Sequence, residues 1–298
     1  MTTLINNFSF TPALASPTIF EPSEDAKRPV YIRVTEEQFR DYRVPAIGPD
    51  TWRPLPSHTA FDFLSKELAD KGFRHSDPAF ILCRTRKNPK IGDQGTHDRH
   101  MIQMTIDHPD MPTVEGYKWN ISLLNSYDMS WACRFEGGSE YDRCANGMAW
   151  GIEESSSRKH TKGINENYDD AFEVIQNHIS QSVGRIIPSF EKQVRALDWQ
   201  RQTECTDDDA RFVTVEAVKQ KVVNAARIMK VLEHWWTPEH PEFKERTVWS
   251  LMQAFTSSDR GRNMSDRGSR FHRLESIVDR RFGRSVSEEM PLYDTADF

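Results

Sequence analysis

The sequence predicts an α+β fold, with an antiparallel β-meander and a covering helix in the N-terminal half and a helical C-terminal half. Between residues 73 and 151, short aliphatic and aromatic runs alternate with polar residues and are separated by Asn, Asp, Ser and Gly, which is typical of strands and turns. After Gly151, apolar residues recur three and four apart, which is typical of helices. Because the strands precede the helices instead of alternating with them, the pattern favours α+β over a parallel α/β fold.

Composition limits the class of protein. The chain has 298 residues, enough for a substantial core, and its 8 Trp and 17 Phe argue against global disorder. No apolar run approaches the ~20 residues of a membrane span, and the first twenty residues lack the features of a signal peptide. The four cysteines form no CxxC pair. We therefore expect reduced thiols, a cytoplasmic location and no membrane partner.

Three regions are predicted along the chain: residues 1–55 as an N-terminal arm and linker, residues 56–165 as a β-rich core domain, and residues 166–298 as a helical region with a basic loop. Prolines break any helix in residues 1–28, a short strand is expected at Tyr31–Val34, and four prolines make Val44–Pro56 an extended linker.

The core domain is expected to hold one helix and about five strands. The helix runs from Thr59 to Lys71, with Ser57 as its N-cap and Gly72 just past its end. The strands are predicted at Phe73–Arg86, Arg99–Asp107, Ile121–Ser126 and Trp131–Phe135, with a further segment closing at Cys144–Gly147. The polar stretch Glu153–Gly163 is predicted as a loop.

Five helical segments follow in the C-terminal region. They are predicted at Tyr168–Ile187, Phe190–Trp199, Val213–Trp235, Arg246–Phe255 and Phe271–Phe282. Pro188 is expected to break or kink the chain between the first two. Val213–Trp235 carries the longest apolar stripe and is predicted as the strongest helix. The last two flank a Gly- and Arg-rich loop.

The stretch LLNSYDMSWACRF, followed by CANGMAWG, resembles a family of phage, prophage and plasmid proteins known as domain of unknown function 932. The positions that carry the resemblance are Leu124, Asn125, Ser126, Tyr127, Asp128, Cys144, Asn146, Gly147 and His160. The resemblance covers about residues 55 to 165 and is weaker over the helical half, where Gln253 stands in place of a family Asn. Met129 stands where the family often has Gly. The resemblance implies a protein of a mobile genetic element without implying an activity.

The polar motif residues have two interpretations. Asn125, Ser126 and Asp128 could hold a phosphate or a metal, or they could form a turn in which short side chains bond the nearby backbone. Cys133, Cys144 and His160 lack the paired short spacings of a structural zinc site. Ser126, Asp128 and His160 contain the groups of a catalytic triad, but no motif positions the serine as a nucleophile. We therefore predict no catalytic residue, no metal and no cofactor.

Two basic patches are the candidate nucleic-acid-binding residues. The first consists of Arg84, Arg86, Lys87, Lys90 and Arg99, and the second of Arg260, Arg262, Arg267, Arg270 and Arg273. Arg and Lys neutralise phosphates, and aromatic rings can stack on unpaired bases. The candidate rings are Phe80, Trp119, Trp131 and Phe271. The alternative is a solvated basic surface with these rings in the core, on a chain of net charge −6.

Two functional hypotheses remain open. The first is a phage- or plasmid-encoded, non-enzymatic nucleic-acid-binding protein that binds or anneals single-stranded DNA in recombination or replication and forms a homo-oligomer. A helix over a β-meander with a basic hairpin resembles phage annealing proteins at the level of the fold only. The second is a factor that binds a host protein and inhibits or redirects a defence system. Its acidic residues at 207–209, 288 and 289 would form the contact.

Overall fold

The structure is a computed structural model that describes residues 31–42, 55–83, 98–127, 131–141, 150–158, 168–258 and 267–284. The chain divides into two compact units. The N-terminal unit comprises residues 1–196 with 260–263, and the C-terminal unit comprises residues 197–259 with 264–298.

The N-terminal unit contains a seven-stranded antiparallel sheet. Its strands are β1 Tyr31–Val34, β2 Arg74–His75, β3 Ala79–Cys83, β4 Arg99–Asp107, β5 Tyr117–Ser126, β6 Cys133–Tyr141 and β7 Trp150–Arg158. The strand order is β1-β3-β4-β5-β6-β7, and β2 pairs with the end of β4. Each strand from β3 to β6 pairs with the next strand along the chain, so the predicted antiparallel meander is confirmed.

Helices cover one face of this sheet. A short helix α1 spans Glu36–Arg40, α2 spans Ser57–Asp70 and α3 spans Tyr168–Gln202. Phe61 of α2 packs edge-on against Phe80 of β3, with the ring centroids 5.4 Å apart. Phe190 of α3 stacks on Trp119 of β5 at 4.4 Å. Apolar side chains from the sheet and from α2 and α3 therefore form the core of this unit, and the predicted covering helix is confirmed.

The end of α2 follows the predicted pattern, whereas its start does not. Gly72 has φ +79°, Phe73 N–H donates to Leu68 O and Gly72 N–H donates to Ala69 O, which together make a Schellman motif. Pro56, not Ser57, is the N-cap, and no side chain caps the helix. The prediction of Ser57 as the cap was wrong because its hydroxyl is bonded to residues of the sheet instead.

Three strand predictions need revision. The described part of the predicted strand Phe73–Arg86 holds two strands, β2 and β3, with residues 76–78 between them, and its last three residues lie outside the described residues. The strand predicted from Trp131 begins at Cys133 and continues to Tyr141. Glu153–Arg158, predicted as part of a loop, belongs to β7. Pairing with β6 supplies backbone hydrogen bonds that override weak intrinsic propensity, and polar residues are tolerated in a strand at the sheet edge. The predicted segment Cys144–Gly147 lies outside the described residues.

Helix α3 continues through Pro188, so of the predicted break or kink the break is wrong, while the kink stays a prediction. Proline costs one backbone hydrogen bond inside a helix. Ile186, Phe190 and Val194 continue the same buried stripe on either side of Pro188. Burial of this stripe stabilises the helix across the proline.

The C-terminal unit contains helices α4 Asp207–Lys219, α5 Ile228–Trp236, α6 Val248–Ser258 and α7 Arg267–Phe282. The single helix predicted over Val213–Trp235 is wrong, because α4 ends at Lys219 and Lys221 has φ 58°. Val222 and Val223 are buried within the connection instead of continuing a helical stripe. Helices α6 and α7 confirm the last two predicted helices with shifted bounds. Within the described residues, no helix combines the length and apolar character needed to cross a membrane.

Candidate functional site

One end of the sheet gathers most of the residues singled out in the sequence. The register pairs Cys83 with Arg99, Arg99 with Ser126, and Cys133 with Arg158. Strands β3, β5 and β7 therefore end here, and β4 and β6 begin here. We call this the motif end of the sheet. The connections 84–98 and 127–132, and the segment 159–167, all leave from it.

The two ends of the sheet differ in charge. These three segments, 84–98, 127–132 and 159–167, contain six Lys and Arg residues against four Asp and Glu residues. These are Arg84, Arg86, Lys87, Lys90, Lys159 and Lys162 against Asp93, Asp98, Asp128 and Glu166. The segments 76–78, 108–116 and 142–149 at the opposite end contain one basic residue, Arg143, against four acidic residues. The motif end is thus the more basic end of an acidic chain.

The first basic patch belongs to the motif end. Arg84, Arg86, Lys87 and Lys90 follow β3 in sequence and lie outside the described residues. Arg99 is the first residue of β4 and is only 3% exposed, and its guanidinium lies 5.3 Å from the centre of the Trp131 ring. Arg99 is therefore not positioned at the surface for the phosphate contact predicted for it.

Asn125 and Ser126 are buried at the end of β5 and bond to the chain around them. Asn125 Nδ2 donates to Leu55 O at 2.8 Å and to Ser57 Oγ at 3.0 Å. Ser126 Oγ accepts a hydrogen bond from Trp131 N at 2.9 Å and donates to Trp131 O at 3.2 Å. Ser126 thus closes the connection to β6, in agreement with the turn interpretation. Asp128, Asn146, Gly147 and His160 lie outside the described residues.

A buried polar cluster that the sequence did not predict lies beside the motif end. His100 Nδ1 lies 3.0 Å from Ser57 Oγ, and Ser57 N donates to the Tyr127 hydroxyl at 2.8 Å. Tyr127 N donates to Asp98 O, and the Tyr42 hydroxyl donates to Asp98 Oδ1. The available sequence signal was that His100 continues, at a spacing of two residues, the face of the predicted strand marked by Ile102 and Met104.

This cluster contains a hydroxyl and an imidazole at hydrogen-bond distance, the pair that activates a serine nucleophile. Ser57 and His100 are 2% and 1% exposed, however, so a substrate in solvent does not reach either group. Asn125 also donates to Ser57 Oγ. We assign the cluster a structural role: it ties the start of α2 to β4 and β5.

The face of the sheet opposite α2 carries a row of polar residues. The register places Gln103, Ser122 and Glu136 side by side across β4 to β6. Glu136 Oε1 accepts from Arg134 Nε at 3.0 Å. Burial raises the pKa of the Glu136 carboxyl, and the charge of Arg134 opposes that shift. Ile81, Met101 and Leu124 are buried on this same face, so both faces of the central strands are enclosed and this one combines polar and apolar side chains.

Possible metal ligands do not come together within the described residues, where no group of three or more His, Cys, Asp or Glu side chains could hold an ion. Cys133 is buried, and burial raises the pKa of its thiol to about 12. Cys144 and His160, the other candidate zinc ligands, lie outside the described residues.

The second basic patch lies before and within α7. Arg260 and Arg262 are outside the described residues, and Arg267 is the first residue of α7. Arg270 is only 5% exposed and Arg273 is half-buried. Arg270 is therefore not positioned at the surface for the predicted phosphate contact.

Most of the candidate stacking rings lie in the core. Phe80, Trp119 and Phe271 are all buried, and Trp131 is half-buried. Buried rings are not open to a base, so for these three the alternative interpretation, that they belong to the core, fits the structure.

A scan against protein-family models, a search of the curated proteins and a search of the solved structures each found no match to this chain. The resemblance to the domain of unknown function 932 family stays a prediction.

Proposed function

We propose that the chain is a non-enzymatic nucleic-acid-binding protein of a phage or plasmid and that it holds single-stranded DNA at the motif end of its sheet. The main support for this proposal is the charge of the connecting segments: Lys and Arg are in excess in those at the motif end, whereas Asp and Glu are in excess in those at the opposite end. A polyanion is attracted to a local basic region even when the whole molecule carries a net charge of −6. The protein acts in the cytoplasm of the host cell, in annealing, recombination or replication.

Two features of the motif end suit a single strand. The register of β3 with β4 brings the chain back at Arg99, beside Cys83, where it left the sheet, so the four basic residues between them belong to one hairpin connection. Trp131, half-buried on the next connection, offers a ring on which a base can stack. Phosphate contacts supply affinity without reading sequence, whereas stacking selects unpaired bases.

Fluorescence anisotropy with a labelled single strand tests this proposal. If the four basic residues of the β3–β4 connection each contact a phosphate, affinity for a ~40-nucleotide strand falls roughly fiftyfold between ~50 and ~200 mM salt. Equal affinity for a single strand and a duplex would argue against base stacking. No binding at the lower salt concentration would overturn the proposal.

A matched pair of variants identifies the binding surface. The double substitution Arg84→Ala with Arg86→Ala should leave only a roughly sevenfold salt effect, because two of four phosphate contacts are lost. The control is Lys66→Ala with Lys71→Ala, which removes the same charge from exposed positions in and just after α2. If both double variants weaken binding equally, binding follows net charge and the motif end has no special role.

A second candidate function, binding of a host protein, is favoured by exposed apolar side chains in the C-terminal unit. Phe212 and Val215 of α4 and Met229 and Trp236 of α5 are between 39% and 67% exposed. Apolar side chains of this size on a surface are typical of interaction sites when they are contiguous. Capture of a host protein that is lost in Met229→Ser, with folding unchanged, would favour this alternative.

The acidic residues at 207–209 are less suited to such a contact than the sequence predicted. Asp207 accepts a hydrogen bond from Trp235 Nε1 at 2.8 Å, and Asp208 pairs with Arg211 at 2.9 Å. Asp209 accepts hydrogen bonds from Thr206 and Arg281. All three carboxylates thus have partners within their own unit.

A further inference from the structure

The last strand of the meander has an open edge within the part of the chain that the structure describes. β7 pairs with β6 on one side, and no described strand pairs with its other side. The regular part of the β6–β7 ladder runs from the pair Gly137–Glu154 to the pair Cys133–Arg158, with an irregularity between Gly137 and Ser139. A strand edge of this kind presents unpaired backbone N–H and C=O groups to a further strand.

The sequence of β7 is self-complementary in charge. Glu153 and Glu154 are followed by serine at positions 155–157 and then by Arg158 and Lys159. If two such strands pair antiparallel about a twofold axis through Ser156, Glu154 of one copy lies opposite Arg158 of the other. The axis repeats this pair, so the interface contains two Glu154–Arg158 pairs. Opposite charges at directly opposed strand positions favour pairing, and like charges oppose it. The axis falls at the centre of the regular ladder, Glu154–Arg158.

We propose that β7 is a homodimer interface, at which the β7 strands of two copies pair antiparallel through Ser156 and join their sheets into one. The interface is isologous, because each copy contributes the same strand, with Glu154 in one charge pair and Arg158 in the other. It goes beyond the proposed nucleic-acid binding and does not depend on it.

The opposite edge of the sheet does not offer the same match. β1 has four residues, Tyr31–Val34, and Arg33 is the charged residue among them. No antiparallel self-pairing of these four residues brings opposite charges together. A short edge strand carrying a charge is a common way for proteins to discourage pairing with another chain. Charge complementarity therefore distinguishes β7 from β1.

Sedimentation velocity of the full chain over a range of concentrations tests the proposal, with the mass expected at twice the 34.6 kDa of one chain. Glu154→Lys or Arg158→Glu alone brings like charges together at both positions and should raise the dimer dissociation constant about tenfold or more. The two single variants mixed in equal amounts should form a heterodimer, because each copy then offers the charge that the other lacks.

Formation of the heterodimer on mixing would also show that each single variant is folded, because both must present an intact β7 strand. A heterodimer that forms on mixing, at protein concentrations where each variant alone is monomeric, supports the β7 pairing. A monomeric wild type at ~100 µM, a concentration at which a specific dimer of ordinary affinity is populated, would overturn it. Single variants that dimerise like the wild type, or that fail to associate when mixed, would overturn it equally.

Discussion

Arg281 of α7 holds Asp209 of α4 by two hydrogen bonds to the same carboxylate oxygen, from Nε at 2.9 Å and from Nη2 at 2.6 Å. The other oxygen of Asp209 accepts from the backbone N–H and the hydroxyl of Thr206, and Asp209 N–H donates back to that hydroxyl. One carboxylate thus closes the capping box of α4 and joins this helix to α7.

This carboxylate should make the stability of the C-terminal unit depend on pH. Burial opposes its ionisation, but the bonds from Thr206 and Arg281 outweigh burial and hold the pKa of Asp209 below its usual value. A lowered pKa stabilises the fold above the ordinary aspartate pKa, and this contribution is lost as pH falls through the folded-state pKa. Near neutral pH, Asp209→Asn should lower the free energy of unfolding by about 1 kcal/mol, and in acid by less. The expected value is small because Arg281 is 39% exposed, so solvent screens its charge.

Urea unfolding of wild type and Asp209→Asn at neutral and acidic pH measures this difference. The control is Asp208→Asn, since Asp208 and Arg211 form an exposed pair expected to contribute little at either pH. A cost for Asp209→Asn that stays constant from neutral to acidic pH would contradict the role of the charge.

Gly72→Ala should destabilise the N-terminal unit by about 1 kcal/mol, because alanine is strained at a positive φ. The added Cβ would also lie 3.4 Å from Nε2 of His108. Gly184→Ala is the matched control: Gly184 is exposed within α3, and an added Cβ there meets no atom within 4 Å. We expect Gly184→Ala to stabilise by about 0.5–1 kcal/mol. Thermal unfolding of both variants tests the prediction, which fails if they shift the midpoint in the same direction.

Ser57→Ala should cost about 1–3 kcal/mol of unfolding free energy, since Asn125 loses a buried acceptor and His100 loses a buried partner. The comparison variant is Ser276→Ala, which removes an exposed hydroxyl from α7 and should change stability by less than about 0.5 kcal/mol. Denaturant unfolding gives both values. A Ser57→Ala protein as stable as wild type would show that the cluster does not hold α2 on the sheet.

The thiols of Cys83, Cys133 and Cys205 should resist alkylation in the folded protein. All three are buried, and burial raises the pKa of each to about 12, so almost none of the reactive thiolate is present near pH 8. Mass spectrometry after brief iodoacetamide treatment, with and without denaturant, measures modification at each position. Rapid labelling of Cys133 without denaturant would contradict its burial in β6.

The strands that the sequence predicted correctly are those in which apolar and polar residues alternate clearly. Ile102, Met104 and Ile106 mark one face of β4, and Leu123 marks the same face of β5. β7 was missed because its serines and glutamates carry no apolar alternation, and only pairing with β6 makes it a strand. The end of α4 at Lys219 was missed because valines bury equally well in a turn, so the helical stripe appeared to continue.

The candidate site was predictable in composition but not in arrangement. Basic residues at 84–90 and the motif at 125–128 are visible in the sequence, but their placement at one sheet end depends on the register of β3, β4 and β5. The burial of Arg99 beside Trp131 was not predictable, because an arginine at the start of a strand is usually exposed. The cluster around His100 depends on contacts between residues about 40 to 70 positions apart.

The meander has a consequence for the order in which the sheet assembles. From β3 onward each strand reaches its partner across a loop of six to fifteen residues, so the entropy lost at each closure is small and consecutive hairpins can form in turn. β1 must instead find β3 across the whole of α2, pairing Tyr31 with Cys83. In kinetic experiments we expect β1 to join after the folding transition state, so that weakening its pairing accelerates unfolding and leaves the rate of folding nearly unchanged.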